Sequence, residues 1–87
     1  MTNVNVTATE VYPLGGATNS GVRLGYVTSG AKAAQNDTWT VTNASEVLLA
    51  WPTIDASGAS EPYTVATNVI TLTSVTATPA SALVLFR

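Results

Sequence analysis

Along most of this 87-residue chain hydrophobic and polar positions alternate with a period of two, the pattern of half-buried β-strands. From Val4 to Tyr12, the residues Val4, Val6 and Ala8 share one face while Asn5, Thr7 and Thr9 take the other, and Pro13 closes the segment. Leu14 to Gly21 holds Gly15, Gly16, Asn19, Ser20 and Gly21, the composition of a turn or flexible connection. Gly21 to Thr28 resumes the alternation, with Val22, Leu24 and Tyr26 on one side and Arg23 and Gly25 opposite. After a loop over Ser29 to Asp37, Asp37 to Thr42 places Trp39 and Val41 inward and the threonines outward. Tyr63 to Thr67 and Asn68 to Val75 form a further strand pair or one bent strand, with Thr67-Asn68 as a candidate tight connection.

Two stretches depart from alternation. Val47 to Trp51 and Ala82 to Phe86 are apolar at every position, as expected of strands covered on both faces by the core or by a partner. Pro52, lacking an N–H, is expected to end the first of them, and Asp55 to Pro62 has the small and polar residues of an exposed loop. Thr76 to Pro79 breaks the pattern before the last strand. About seven short, mainly antiparallel strands separated by turn signals predict an all-β fold, a small sandwich or barrel. A chain this short has room for one core, so residues 1–87 are read as a single β domain.

Charge changes the picture. Charged residues are 9% of the chain and hydrophobic residues 46%, whereas an ordinary soluble domain is about 25% charged. Three basic residues, Arg23, Lys32 and Arg87, lie far apart in a chain of net charge −2, which argues against nucleic acid as a partner. No apolar run approaches the ~18 residues that a bilayer-spanning helix needs, so no membrane is expected. Met1 to Asn5 has no basic stretch leading into an apolar one and carries no sign of export.

The chemistry available for catalysis is thin. His and Cys are both absent, which removes the usual general base, Cys–His and Ser–His nucleophilic arrangements, thiolate metal sites and disulfides. A paired-carboxylate mechanism would need two of Glu10, Asp37, Glu46, Asp55 and Glu61 to converge. Turn capping and solvation account for Asp37, Glu46, Asp55 and Glu61 without it. Asp55, Ser57 and Glu61 could offer oxygen ligands to calcium, but the spacing lacks the Asp-x-Asp-x-Asp-Gly pattern. No enzyme activity, cofactor or metal is expected. Among the aromatic residues, Trp51 ends its apolar run before Pro52, at a place where it could face a partner or stack on a sugar.

The layout resembles that of the small cement or decoration proteins of tailed bacteriophages. The likeness lies in the N-terminal alternating strand, Gly-Val-Arg-Leu-Gly-Tyr-Val, Asp-Thr-Trp-Thr-Val, Val-Leu-Leu-Ala-Trp, Asn-Val-Ile-Thr-Leu and the terminal Ala-Leu-Val-Leu-Phe-Arg. It covers most of the chain as strand patterns and contains no invariant motif. The resemblance implies a virion structural protein on the outer capsid surface, assembled in the host cytoplasm, bound to the major capsid protein and homo-oligomeric, with a trimer favoured. Val47, Leu49, Trp51, Leu83, Leu85 and Phe86 are the expected interface residues. A carbohydrate-binding or adhesin-like sandwich, or a tail or fibre subunit, is the alternative.

Overall fold

The computed structural model describes residues 2–13 and 22–87, the side chains of residues 10–13 and 29 excepted. Its strands are β1 (Asn3–Val6), β2 (Thr9–Pro13), β3 (Arg23–Gly30), β4 (Asp37–Val41), β5 (Val47–Ile54), β6 (Tyr63–Ala66), β7 (Val69–Leu72) and β8 (Ala80–Phe86). They form two four-stranded sheets, β1-β4-β7-β6 (sheet A) and β2-β3-β8-β5 (sheet B). The protein is thus an all-β sandwich of two separate sheets rather than a closed barrel, and all its strand pairs but the parallel β1–β4 are antiparallel. The turn expected over Leu14 to Gly21 lies outside the described residues.

β1 and β2 are the two halves of the one N-terminal strand that the alternation predicts. The chain leaves sheet A after Val6 and enters sheet B at Thr9. At the crossing Asn43 stands in for a strand neighbour. The Ala8 amide donates to Asn43 Oδ1 at 3.0 Å, and Asn43 Nδ2 donates back to the Ala8 carbonyl at 2.8 Å. Both backbone groups of Ala8, itself buried, are satisfied by a single side chain where neither sheet can reach them.

Between the sheets, Trp39, Val41, Ile70 and Leu72 of sheet A meet Val27, Val47, Ala50, Val84 and Phe86 of sheet B in one core. Two glycines on the inner face of β3 make room for the largest rings. A methyl group on Gly30 would lie 2.5 Å from Trp39 Cζ2, and one on Gly25 would lie 2.8 Å from Phe86 Cε1 and 2.7 Å from the Thr9 carbonyl oxygen. Trp39 is fully buried, and its indole Nε1 donates to the Ala31 carbonyl at 2.9 Å, which satisfies the ring's one polar atom.

Pro52 does not end β5, which runs on to Ile54. β5 is an edge strand, and the Pro52 carbonyl accepts the Glu61 amide at 3.0 Å on the side away from β8. In an extended strand the nitrogen of a residue points the same way as its carbonyl, so the missing N–H removes no bond from the ladder. At the β6–β7 hairpin, Thr67-Asn68 is the tight connection, and the left-handed residue is Thr67 (φ 55°). The strained turn is tied to both sheets. Thr67 O accepts the Val47 amide at 2.7 Å and Asn68 O accepts the Val41 amide at 2.9 Å.

Candidate assembly surface

Strict alternation along β8 turns Ala80, Ala82, Val84 and Phe86 into the core, leaving Ser81, Leu83 and Leu85 on the outer face of sheet B. Register then decides what surrounds them. Leu83 lies between Tyr26 of β3 and Trp51 of β5, while Leu85 lies between Leu24 and Leu49. Ser81 is paired with Thr53, next to Thr28. Three cross-strand rows result: a leucine row, an aromatic–leucine–aromatic row and a hydroxyl row. Tyr26, Leu49, Trp51 and Leu83 are 40%, 43%, 48% and 43% exposed. Their uncovered area is on the order of 400 Å², the size of the largest apolar patch on a typical monomer, which is often functional.

Between β3, β8 and β5 the face dips into an open depression of about 370 Å³, lined among others by Tyr26, Thr28, Trp51, Thr53, Ser81 and Leu83. None of the described residues that line it is charged, and the Asp55 carboxylate accepts the Ser81 hydroxyl at its edge. Among the described charges, Lys32 pairs with Glu61 and Arg87 with Glu46 at 2.8 Å, and the Arg23 guanidinium lies 4.8 Å from the centre of the Phe86 ring.

Of the six residues expected at an interface, Leu49, Trp51, Leu83 and Leu85 lie on this face. Val47 and Phe86 do not, since both are in the core at 4% and 0% exposure. Phe86 is inward by simple alternation with Leu85. Val47 would share a face with Leu49 in a regular strand, but a bulge between Val47 and Leu49 inserts Leu48 and turns Val47 inward, opposite Phe86. Leu24 and Tyr26 were not among the expected residues. Their signal was present: Leu24 and Tyr26 alternate with Arg23 and Gly25, and a glycine between large neighbours marks the side where another group comes close.

The carboxylates do not gather. Asp37 caps the turn before β4, as expected, but is buried and not solvated. Its oxygens accept the amides of Ala33 (2.7 Å), Thr2 (2.7 Å) and Ala34 (3.0 Å). Those donors, Ala33 foremost and then Thr2 and Ala34, favour the charged form and hold its carboxyl below the ordinary value. Glu61 likewise is not solvated but fully buried against Lys32. Asp55 accepts Ser81 Oγ at 2.7 Å, so Asp55 and Glu61 turn to different partners and form no calcium cluster. Among the described residues no three His, Cys, Asp or Glu side chains stand close enough to hold a metal ion. The side chain of Glu10 lies outside the described residues.

No protein-family model, no curated protein and no solved structure matches the chain.

Proposed function

We propose that this protein is a structural subunit of a larger particle and joins its neighbours through the outer face of sheet B. The observation that supports this reading is the row Tyr26–Leu83–Trp51, exposed in all three members, beside the row Leu24–Leu85–Leu49, both lying across three strands. A row of large apolar side chains left in water lowers solubility, and burial at an interface removes that liability. The strand layout resembles phage cement and decoration proteins, and on that ground the particle is the capsid of a tailed bacteriophage. The chain would then sit on the head as a homo-oligomer bound to the major capsid protein and act by contact alone.

Re-addition to particles tests the reading. Purified chain added to heads that lack it should bind stoichiometrically and raise their resistance to heat, and Leu83→Asp should abolish both effects while keeping the far-ultraviolet signature of a folded sheet. A chain that leaves such heads unbound would refute the capsid role.

One observation favours a second reading, a carbohydrate-binding module. Two half-exposed aromatic rings flank Leu83 next to the hydroxyls of Thr28 and Thr53, an arrangement that suits the apolar face and rim hydroxyls of a sugar. Glycan-array binding lost on Trp51→Ala would favour it. Four leucines around those rings are the reason to prefer a protein partner.

A further inference from the structure

We infer that the occupant of the outer face of sheet B is the same face of a second copy of this chain, in a two-fold pair whose axis runs along β8. The inference rests on the reading of this face as an assembly surface and identifies the neighbour.

The first ground is that β8 and β5 carry apolar side chains on both sides, and β3 adds Leu24 and Tyr26 outside and Val27 inside, which is the make-up of an inner layer and not an outer one. What covers such a layer must be flat, apolar, uncharged and equally broad. Four strands ~4.8 Å apart and about 17–26 Å long give on the order of 450 Å² in plan, and more with side-chain relief. That approaches the ~600 Å² each partner buries at the small end of specific interfaces. Among the described residues the exposed large apolar side chains of the strands gather on this face. The outer side of β1 and β4 carries Asn3, Asn5, Thr38 and Thr40, which bond one another through Asn3 Oδ1 to Thr38 at 2.7 Å and Thr40 at 2.8 Å. Self-association through apolar cover must therefore set like face on like face, which closes as a pair instead of growing into a filament.

The rows select the axis. A two-fold along β8 lays each row on its own counterpart: leucines on leucines, hydroxyls on hydroxyls, and Leu83 on the partner's Leu83. Tyr26 then meets the partner's Trp51, an aromatic contact made twice. A two-fold across the strands through Leu83 would set the leucine row on the Thr28–Ser81–Thr53 row and bury hydroxyls under leucines. Packing along β8 is the aligned arrangement of stacked sheets. The result is a four-layer sandwich with two-fold symmetry, distinct from the trimer that the phage resemblance implies.

Because the chain has no cysteine, single thiols report the geometry without competition. Sedimentation equilibrium of the purified chain should give twice the 8.9 kDa chain mass, reduced to one chain by Leu83→Asp. A short bis-maleimide should link Leu83→Cys chains in pairs. It should leave Tyr26→Cys chains single and Trp51→Cys chains single, and link the two kinds of chain when they are mixed. A chain that stays at single mass up to millimolar concentration, a three-fold mass, or a pair in which Leu83→Cys does not cross-link would overturn the inference. If the single-mass chain still protects heads and loses this with Leu83→Asp, the face meets a different protein: the assembly reading stands and the two-fold pair falls. If neither particle nor copy engages the face, both fall.

Discussion

Lys32 Nζ lies 3.3 Å from Glu61 Oε1 with both side chains fully withdrawn from water. Lys32 also donates to the carbonyls of Ser74, at 2.7 Å, and Thr76, and to Ser74 Oγ at 2.9 Å. Glu61 accepts the Ser74 amide at 2.9 Å and Ser74 Oγ at 2.8 Å. One ion pair thereby ties the β3–β4 loop, the segment before β6 and the β7–β8 loop together at one end of the sandwich. Removing either partner leaves a buried charge alone. Glu61→Leu or Lys32→Met is expected to cost about 3–5 kcal/mol, and the double variant much less than the sum. Urea denaturation of the three variants measures this, and strictly additive losses would show that the pair is not coupled.

Asp37 makes stability depend on acidity in a direction that its hydrogen bonds dictate. Its folded pKa lies below its unfolded value, ordinarily about 3.9, so in that window the unfolded chain binds more protons than the folded one. The contribution is complete above the unfolded value and disappears as pH falls through the folded one. Urea midpoints taken from pH 6 to pH 2 should drop in the acid part of the range. Asp37→Asn should be less stable at pH 6 and show a shallower acid loss, and an unchanged slope in that variant would contradict the assignment.

Gly25 and Gly30 are spacers for rings. Gly30→Ala forces a methyl group against the Trp39 indole, and Gly25→Ala forces one against Phe86 and the Thr9 carbonyl. Each is expected to cost about 1–3 kcal/mol through overpacking. Phe86→Leu should recover part of the Gly25→Ala loss and none of that from Gly30→Ala. Thermal melts of the singles and doubles decide it.

Thr67 offers the opposite sign. A β-branched residue at φ 55° is held there by bonds from both sheets, and asparagine adopts that region at lower cost. Thr67→Asn is expected to add about 1 kcal/mol to stability, visible as a higher urea midpoint at unchanged slope. A lower midpoint would show that the threonine side chain compensates its own strain.

Much of this architecture is legible in residue order because a strand advertises itself locally. Trp39 and Val41 alternate with threonines, and they are inward in the structure. Thr67-Asn68 separates two apolar-periodic runs, and it is a two-residue turn. Each judgement needs only neighbours two or three positions away. Leu49, Trp51, Leu83 and Leu85 were legible as apolar residues in excess of the core for a related reason, since a run apolar on both faces has more greasy surface than one core can take.

What the sequence by itself determined is therefore the strand content and the excess of apolar surface, both properties of short windows. Tertiary structure alone decided which side faces the core in β3, β5 and β8, whose two sides the polarity pattern does not rank. A single bulge at Leu48 reverses Val47, and the need to fit Phe86 and Trp39 against Gly25 and Gly30 turns Tyr26 and Leu24 outward. It also decided that Lys32 and Glu61, 29 positions apart, are partners and not two solvated charges. Where both faces are apolar, period-two alternation separates them without saying which is inside; that choice is made by volumes and charges brought together from distant parts of the chain.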